Sequence, residues 1–437
     1  MTIVHMQGRN GKRGTGSNLV AALDVGSTKI CCMIAELQPP RQKGQVDLKQ
    51  LLKVIGFGQT LSRGVRAGAV VDIREAECAI RLAVDTAERM AGVTIDQVYV
   101  SVSGGRTQSH CHSGKVRTQT GIVTTRDLEN AVSAALACVS VGKRTILHLA
   151  PVGHGLDGVA NITTPLGMHG EELIADIGLT TIEPTYLRNL AAAIERAHLH
   201  PAGFVIAPYA AAKAALTVDE ISLGALLVDL GGAITSVGLF NNGRLVAADS
   251  VPVGGLHITH DIAHGLSTTV AHAERMKTLF GTVLPHGHDN NELLSVPLLG
   301  EKGIDTIRKV TKSQLTNILR PRVEEILELV QDKLSSPAFA LHPAGRVVLT
   351  GGGSQLTGIR ELASAILGRQ VRLGQAAGLA GLADHARHAG FAVATGTLCY
   401  AVKPDQHYAV PKEAATAFQR AQMGYVRRVG QWLAEAF

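Results

Sequence analysis

The sequence predicts an α/β fold built from two related halves, and three glycine-punctuated segments predict it. The first, Leu19 to Ile34, is an apolar strand broken by Asp24, Gly26, Ser27, Thr28 and Lys29 and resumed at once. The second, Gly224 to Phe240, repeats that shape around Asp229, Gly231, Gly232 and Ala233. An apolar run of strand length, interrupted by Asp and Gly and then resumed, reads as a β-hairpin. The third, Arg346 to Leu362, reads as a buried strand, a Gly351-Gly352-Gly353 turn and a helix with Ser354 as its N-cap.

Each hairpin alone is compatible with an ordinary turn, where Asp and Gly are common. Together they imply more. Glycine at a tip lets backbone N–H groups approach an anion, and an adjacent Asp can hold a hydrated Mg²⁺. One such tip in each half points to two domains gripping one polyphosphate. A glycine triplet at a strand's carboxyl end lets a flat ring lie against bare backbone, in the crevice where open α/β sheets bind ligands. None of the three segments has the spacing of a P-loop or a dinucleotide-binding Rossmann turn.

The remaining elements follow in order. Residues 1–17 are polar and basic and read as a disordered tail, without the apolar stretch of a signal peptide. Leu52 to Gly58 is a further strand, and Asp72 to Met90 carries Ile73, Ala76, Ile80, Leu82, Ala83, Val84 and Ala87 at helical spacing. Sheet alternating with helix argues for an α/β layer. From about Ser101 the texture turns polar and Ser/His/Thr-rich, with a helix at Arg126–Ser140 and strands to about Leu179. The second half opens near Pro201, is interrupted from about Ala247 to Arg320 by a smaller subdomain, and resumes with a helix at Arg322–Ser335. Pro404 and Pro411 mark a linker over 402–412 before a last helix.

Composition narrows the class. The chain has 437 residues, enough for two to four domains, with 46% hydrophobic and 18% charged side chains. A net charge of +6 allows an anionic partner. The basic residues are scattered and aromatics make up only 3%, which argues against nucleic acid. The six cysteines form no CxxC pair and read as reduced thiols of a cytosolic protein. His110 and His112 share a strand face and His257, His260 and His264 a helix face, but neither group has the second cluster of a structural zinc site.

The order of hairpin, hairpin and glycine triplet resembles the nucleotide site of the actin, sugar-kinase and heat-shock chaperone superfamily. Within it the chain resembles the FtsA family of actin-like bacterial cell-division proteins. The resemblance rests on Asp24 to Lys29, Val98 to Gly104, Ala273 to Lys277, Leu349 to Gly353 and a terminal amphipathic helix, and runs from about Asn18 to Phe437. It implies ATP and Mg²⁺ as ligands. Gly26, Ser27, Thr28 and Lys29 would contact the phosphates, and Asp24 and Asp229 would hold Mg²⁺ through water. Gly231, Gly232 and Ala233 would close over the phosphates from the second half, Gly351, Gly352, Gly353 and Ser354 would line the adenosine, and Glu274 and Lys277 would reach the ribose and base.

The same resemblance implies the domain plan: a first half (1A) at 18–100, continued at 180–200; an inserted 1C-type domain at 101–179; a second half at 201–246 (2A) and 321–384, with a small subdomain (2B) at 247–320. Residues 385–401 return to the first half, and 413–437 form a membrane-targeting helix. The implied partners are the tail of FtsZ, other copies of the chain in a filament, later division proteins through the 1C-type domain, and an anionic membrane surface. The implied location is the cytoplasmic face of the inner membrane at the division site. Arg308, Lys309 and Arg322 are the basic candidates for the FtsZ tail.

In the last helix Tyr425, Val426, Val429, Trp432, Leu433 and Phe437 form an apolar stripe, with Arg427 and Arg428 beside it. By pattern such a helix suits a membrane surface or its own domain; the resemblance selects the membrane. The second hairpin departs from the superfamily. Ala233, Ile234 and Ser236 stand where glycine, a hydroxyl and a carboxylate are usual, so binding is better supported than hydrolysis and no catalytic residue is assigned. The competing reading is a small-molecule kinase of the same superfamily, which needs an acceptor-activating Asp and has no use for a terminal amphipathic helix.

Overall fold

The computed structural model describes residues 18–39, 48–139, 142–160, 162–285, 291–300, 307–340, 344–376 and 378–402. The chain opens with β1 (Leu19–Val25), β2 (Lys29–Leu37) and β3 (Leu52–Leu61), a short hairpin β4 (Val65–Arg66) and β5 (Ala69–Val70), helix α1 (Ile73–Ala91) and β6 (Gln97–Val102). An excursion follows: β7 (Gln108–Arg117), α2 (Thr125–Ala137), β8 (Thr145–Leu156) and β9 (Glu172–Ile182). The chain returns through α3 (Pro184–Arg196), β10 (His200–Ile206) and α4 (Ala207–Ala215).

The second half runs α5 (Val218–Leu223), β11 (Ala225–Leu230), β12 (Thr235–Asn241), β13 (Arg244–Val251), α6 (Gly255–Gly265), α7 (Val270–Phe280), β14 (Leu293–Pro297) and β15 (Ile307–Thr311). It closes with α8 (Lys312–Leu334), α9 (Pro337–Ala340), β16 (Arg346–Thr350), α10 (Ile359–Leu367), β17 (Gln370–Leu373) and α11 (Ala392–Val402).

The two large sheets have one plan. The first is ordered β3-β2-β1-β6-β10 and the second β13-β12-β11-β16-β17. In each, the first three strands are antiparallel neighbours and the last two join parallel to the first. Both glycine-punctuated segments are therefore the same central hairpin in two copies of one sheet. The strands β1, β2 and β11 are almost wholly buried, which matches their unbroken apolar runs. The apolar helices α4 and α11 pack on each other beneath the sheets. Gly396 lets α11 come against the Ala210 carbonyl without an intervening side chain.

The excursion forms a three-stranded antiparallel sheet, β7-β9-β8, covered by α2. Its uncovered side meets β13, the edge strand of the second half. Ser109 Oγ donates to Ala248 O (2.8 Å) and accepts from Ala248 N (2.7 Å), and Arg244 Nη1 donates to Pro151 O (3.2 Å).

Three boundaries differ from the sequence reading. β10 pairs with β6, so the first sheet extends to Ile206 rather than ending at residue 200. Helix α8 is continuous from Lys312, through Pro321, instead of starting at Arg322. A capping box between Thr311 and Gln314 and the buried stripe of Leu315, Leu319 and Val323 outweigh the one hydrogen bond a proline removes. Ser354 does not cap α10. Its Oγ donates back to Gly351 O (2.8 Å) within a tight 3₁₀ turn, and the helix starts after Gly358.

Candidate functional site

The two hairpin tips meet across a cleft of about 550 Å³. Gly232 lies against the Thr28 side chain, so closely that a Cβ at Gly232 would collide with the Thr28 methyl group. Among the described residues, no hydrogen bond recruits the N–H groups of Ser27, Thr28, Gly232 or Ala233. Four amides gathered from two halves into one cleft form an anion cradle.

Asp24 and Asp229 stand at equivalent places in the two sheets, near the end of the strand that enters each tip, and both are buried. Ser101 of β6 donates through Oγ to Asp24 Oδ1 at 2.6 Å. Burial raises the Asp24 carboxyl above its ordinary value, countered by that hydrogen bond and by Lys29. Burial, followed by the charge of Asp24, lifts Asp229 to about 7. Two desolvated carboxylates at one site are costly unless a cation joins them. Lys29 is near, but its ammonium rests 3.4 Å above the centre of the Phe391 ring and makes no ion pair with the described residues. Amides and Lys29 suit a polyphosphate, and the paired carboxylates suit a hydrated divalent cation, so the donor set fits a Mg²⁺-nucleotide.

The glycine triplet closes another wall. Gly351 adopts φ +85°, and a Cβ there would run into the Asp229 carboxylate and the Leu230 carbonyl. Gly352 has nothing within 4 Å of where its Cβ would be, so its bare face opens on the cleft. Ser354, expected on this wall, is turned inward, and Gln355 lines the cleft in its place.

Glu274 and Lys277 of α7 line the same cleft. Lys277 Nζ donates to Glu274 Oε2 (2.7 Å), Thr259 Oγ1 (2.8 Å) and Gly255 O (3.0 Å), which fixes Glu274 in place. Several lining residues escaped the sequence reading, among them Gly255, Thr278, Thr282, Lys312 and His388. Lys312 opens α8 in the small subdomain and carries no motif around it, and His388 sits in an irregular loop.

The basic candidates on the second half are not equivalent. Arg308 and Lys309 are exposed on β15, and Lys309 Nζ donates to Ser295 Oγ (3.0 Å). Arg322 is already paired, 2.6 Å from Asp261 of α6 and in contact with Glu325, so it offers no free charge to a partner. The apolar stripe Tyr425, Val426, Val429, Trp432, Leu433 and Phe437, with Arg427 and Arg428, lies outside the described residues. Among the described residues no helix is long and apolar enough to cross a membrane. Nor do those residues gather three or more potential metal ligands in a cluster, and the stacked rings of His110 and His112 stand as a pair.

Two copies of one sheet closing on a carboxylate-lined cleft define the actin-like ATPase-fold class. Solved structures share the fold. A PilM–PilN type IV pilus biogenesis complex aligns with TM-score 0.60 at 17% identity, covering 88% of this chain and 99% of that one. MreB5 of Spiroplasma citri bound to ADP aligns with TM-score 0.50 at 14% identity, covering 88% and 96%.

The family described as "Cell division protein FtsA" matches residues 226–396, and that described as "SHS2 domain inserted in FTSA" matches residues 104–181. Cell division protein FtsA of Agrobacterium fabrum is 41% identical over 424 residues, 96% of this chain and 95% of that protein. The proteins of the same name from Neisseria meningitidis and Escherichia coli are 30% and 28% identical, each over at least 96% of this chain. The chain belongs to the FtsA family of cell-division proteins.

Proposed function

We propose that the chain binds ATP with Mg²⁺ in the cleft, assembles into filaments and tethers FtsZ filaments to the cytoplasmic membrane at the division site. The observation that carries the nucleotide reading is the meeting of Thr28 and Gly232, which brings four unrecruited amides and two buried carboxylates together between the halves. When bound, Mg²⁺ would neutralise the polyphosphate and the two carboxylates at once. Asp24 and Asp229 would hold it through water, while Lys29 and the hairpin amides would orient the phosphates. Gly351, Gly352 and Gln355 would take the adenosine, and Lys277 would keep Glu274 placed for the ribose. ATP would bias the relation of the two halves and hence the contacts between subunits, an equilibrium coupling.

The membrane and FtsZ parts rest on family membership and on the amphipathic 413–437 segment. The inserted domain would supply one side of a head-to-tail contact, the kind that generates open filaments, and would receive later division proteins. Arg308 and Lys309 would meet the FtsZ tail.

Flotation of the full-length protein with anionic liposomes, with and without Mg-ATP, tests the reading against a chain ending at Pro411. Tethering requires the full chain to float and the shortened one to stay in solution. Equal flotation of both would remove the terminal helix from the function.

A further inference from the structure

A loop from Asp384 to Phe391 crosses the floor of the cleft and carries two 3₁₀ turns into α11. It is tied to the glycine-triplet wall: Ala389 O accepts from Gly351 N (3.3 Å) and Thr350 Oγ1 (3.4 Å). The loop brings His388 into the cleft. The N–H of Gly390 donates to His388 Nδ1 at 3.1 Å, and Gln355 Nε2 lies 3.3 Å from the same atom. An imidazole nitrogen that accepts cannot also carry the proton, so the proton of the neutral ring is assigned to Nε2. Among the described residues no hydrogen bond engages Nε2.

Lys29 converges on the same spot from the first hairpin. A Cβ at Gly390 would stand 3.1 Å from both His388 Nδ1 and Lys29 Nζ, so ring and ammonium crowd the same spot over this glycine. The groups around His388 are mostly cationic or neutral. Lys29 faces it from β2 and Gln355 from the triplet turn, and its own loop contributes His385 and the Arg387–Asp384 ion pair (3.0 Å). Asp24 and Asp229 face Lys29, and Asp229 adjoins Gly351, to which the loop is tied through Ala389 O. Burial, then Lys29, then His385 hold the imidazole below its ordinary value, so the ring is neutral at neutral pH. An anion placed beside Lys29 would reverse that balance.

We propose that His388 is a phosphate contact of the nucleotide site, donating from Nε2 to an oxygen of the α- or β-phosphate and gaining a proton as the anion arrives. The assignment rests on the nucleotide reading of the cleft. His388 lies beside Lys29 of the first hairpin and also touches Gln355 of the triplet wall, so the contact falls between the phosphate and adenosine ends of the cleft, on the α/β side.

The test is titration of full-length protein with fluorescent ATP and ADP analogues, in Mg²⁺, at about pH 6 and about pH 8. His388→Asn keeps an acceptor for Gly390 N but has no donor at the Nε2 position. His388→Gln offers a neutral donor at that reach. Because Asp229 titrates in the same range, the contribution of His388 is read as the difference between wild type and variant. At about pH 6 wild type should bind both nucleotides roughly tenfold more tightly than His388→Asn, with a smaller gap at about pH 8. His388→Gln should recover the smaller gap and show none of the pH-dependent part. Calorimetry in two buffers of different ionisation enthalpy should find that His388→Asn takes up fewer protons per nucleotide than wild type.

Equal affinities and proton counts in wild type and His388→Asn would overturn the assignment. So would a loss that is the same at both pH values and accompanied by a lower melting temperature, which marks a packing role. If wild type itself binds neither nucleotide, the cleft reading fails first.

Discussion

Asp24 and Asp229 occupy matching positions in two copies of one sheet, and the charge of Asp24 adds to burial in lifting Asp229 to about 7. The fold thus holds two carboxylates where one alone would be tolerated more easily. That cost belongs to the ligand-free protein, and a cation bound between the two would relieve it.

The first expected outcome is a stability gain on removing one of the pair. The folded Asp229 carboxyl holds its proton up to about 7, while the unfolded one loses it near the ordinary 3.8. The folded state therefore binds more protons between those values, and stability falls as pH rises through that window. Asp229→Asn should stabilise the ligand-free protein near pH 8 by on the order of a few kcal/mol, read as a higher melting temperature, and flatten the pH dependence. The same variant should lose Mg²⁺-dependent nucleotide binding. A melting temperature below wild type at every pH would contradict the electrostatic account.

Substitutions in the two glycine turns should separate binding from folding. Gly232→Asp places a carboxylate among the phosphates and against Thr28, and should abolish nucleotide binding. Gly352→Glu, directed into open space, should weaken it with little change in melting temperature. Gly351→Glu should do both harms, since φ is +85° and the Cβ meets backbone; its folding cost is on the order of 1–3 kcal/mol or more. Thermal melts alongside fluorescent-nucleotide titration distinguish the three. If Gly352→Glu binds ATP like wild type, the triplet is not a ligand wall.

Charge reversal on the second half should also split. Arg308→Glu alters an exposed rim charge and should weaken binding of an FtsZ tail peptide while leaving the melting temperature unchanged. Arg322→Glu instead confronts Asp261 with a second carboxylate and should lower the melting temperature. Peptide affinity measured by fluorescence anisotropy decides the first. Unchanged affinity in Arg308→Glu and Lys309→Glu together would remove β15 from the interface.

For the terminal helix, full burial of Trp432, Leu433 and Phe437 in the acyl boundary would contribute roughly 1.5–3 kcal/mol each. Arg427 and Arg428 would add on the order of 1 kcal/mol each against anionic lipid. Trp432→Glu should release the protein from liposomes and spare ATP binding, whereas Gln431→Glu should do much less. A lowered melting temperature with unchanged flotation would mean that the helix docks on its own domain.

Both hairpins and the glycine triplet were legible because Asp and Gly interrupt otherwise continuous apolar strands, a pattern that survives without tertiary context. Helix α1 was legible for the same kind of reason, bounded by the Asp72 N-cap and by Gly92 in the left-handed region. What escaped depended on distant contacts. His388 and Lys312 reach the cleft only because a loop and a remote helix end happen to face it. The start of α8 was hidden by Pro321, whose local signal is to begin a helix. Ser354 has the composition of a cap, but the nearby Gly351 carbonyl claimed its hydroxyl. The pairing of Arg322 with Asp261 joins two helices that the sequence places 61 positions apart.

The excursion between β6 and α3 is covalently rooted in the first half at both ends, yet Ser109 is bonded twice to Ala248 in the second. It therefore acts as a strap across a hinge. Any rotation that opens or shuts the halves must either unbuckle Ser109 from Ala248 or swing the whole strapped module with the second half, straining its roots. A filament neighbour gripping that module would consequently feel the state of the cleft through the mechanical linkage of Ser109 to Ala248 and Arg244 to Pro151.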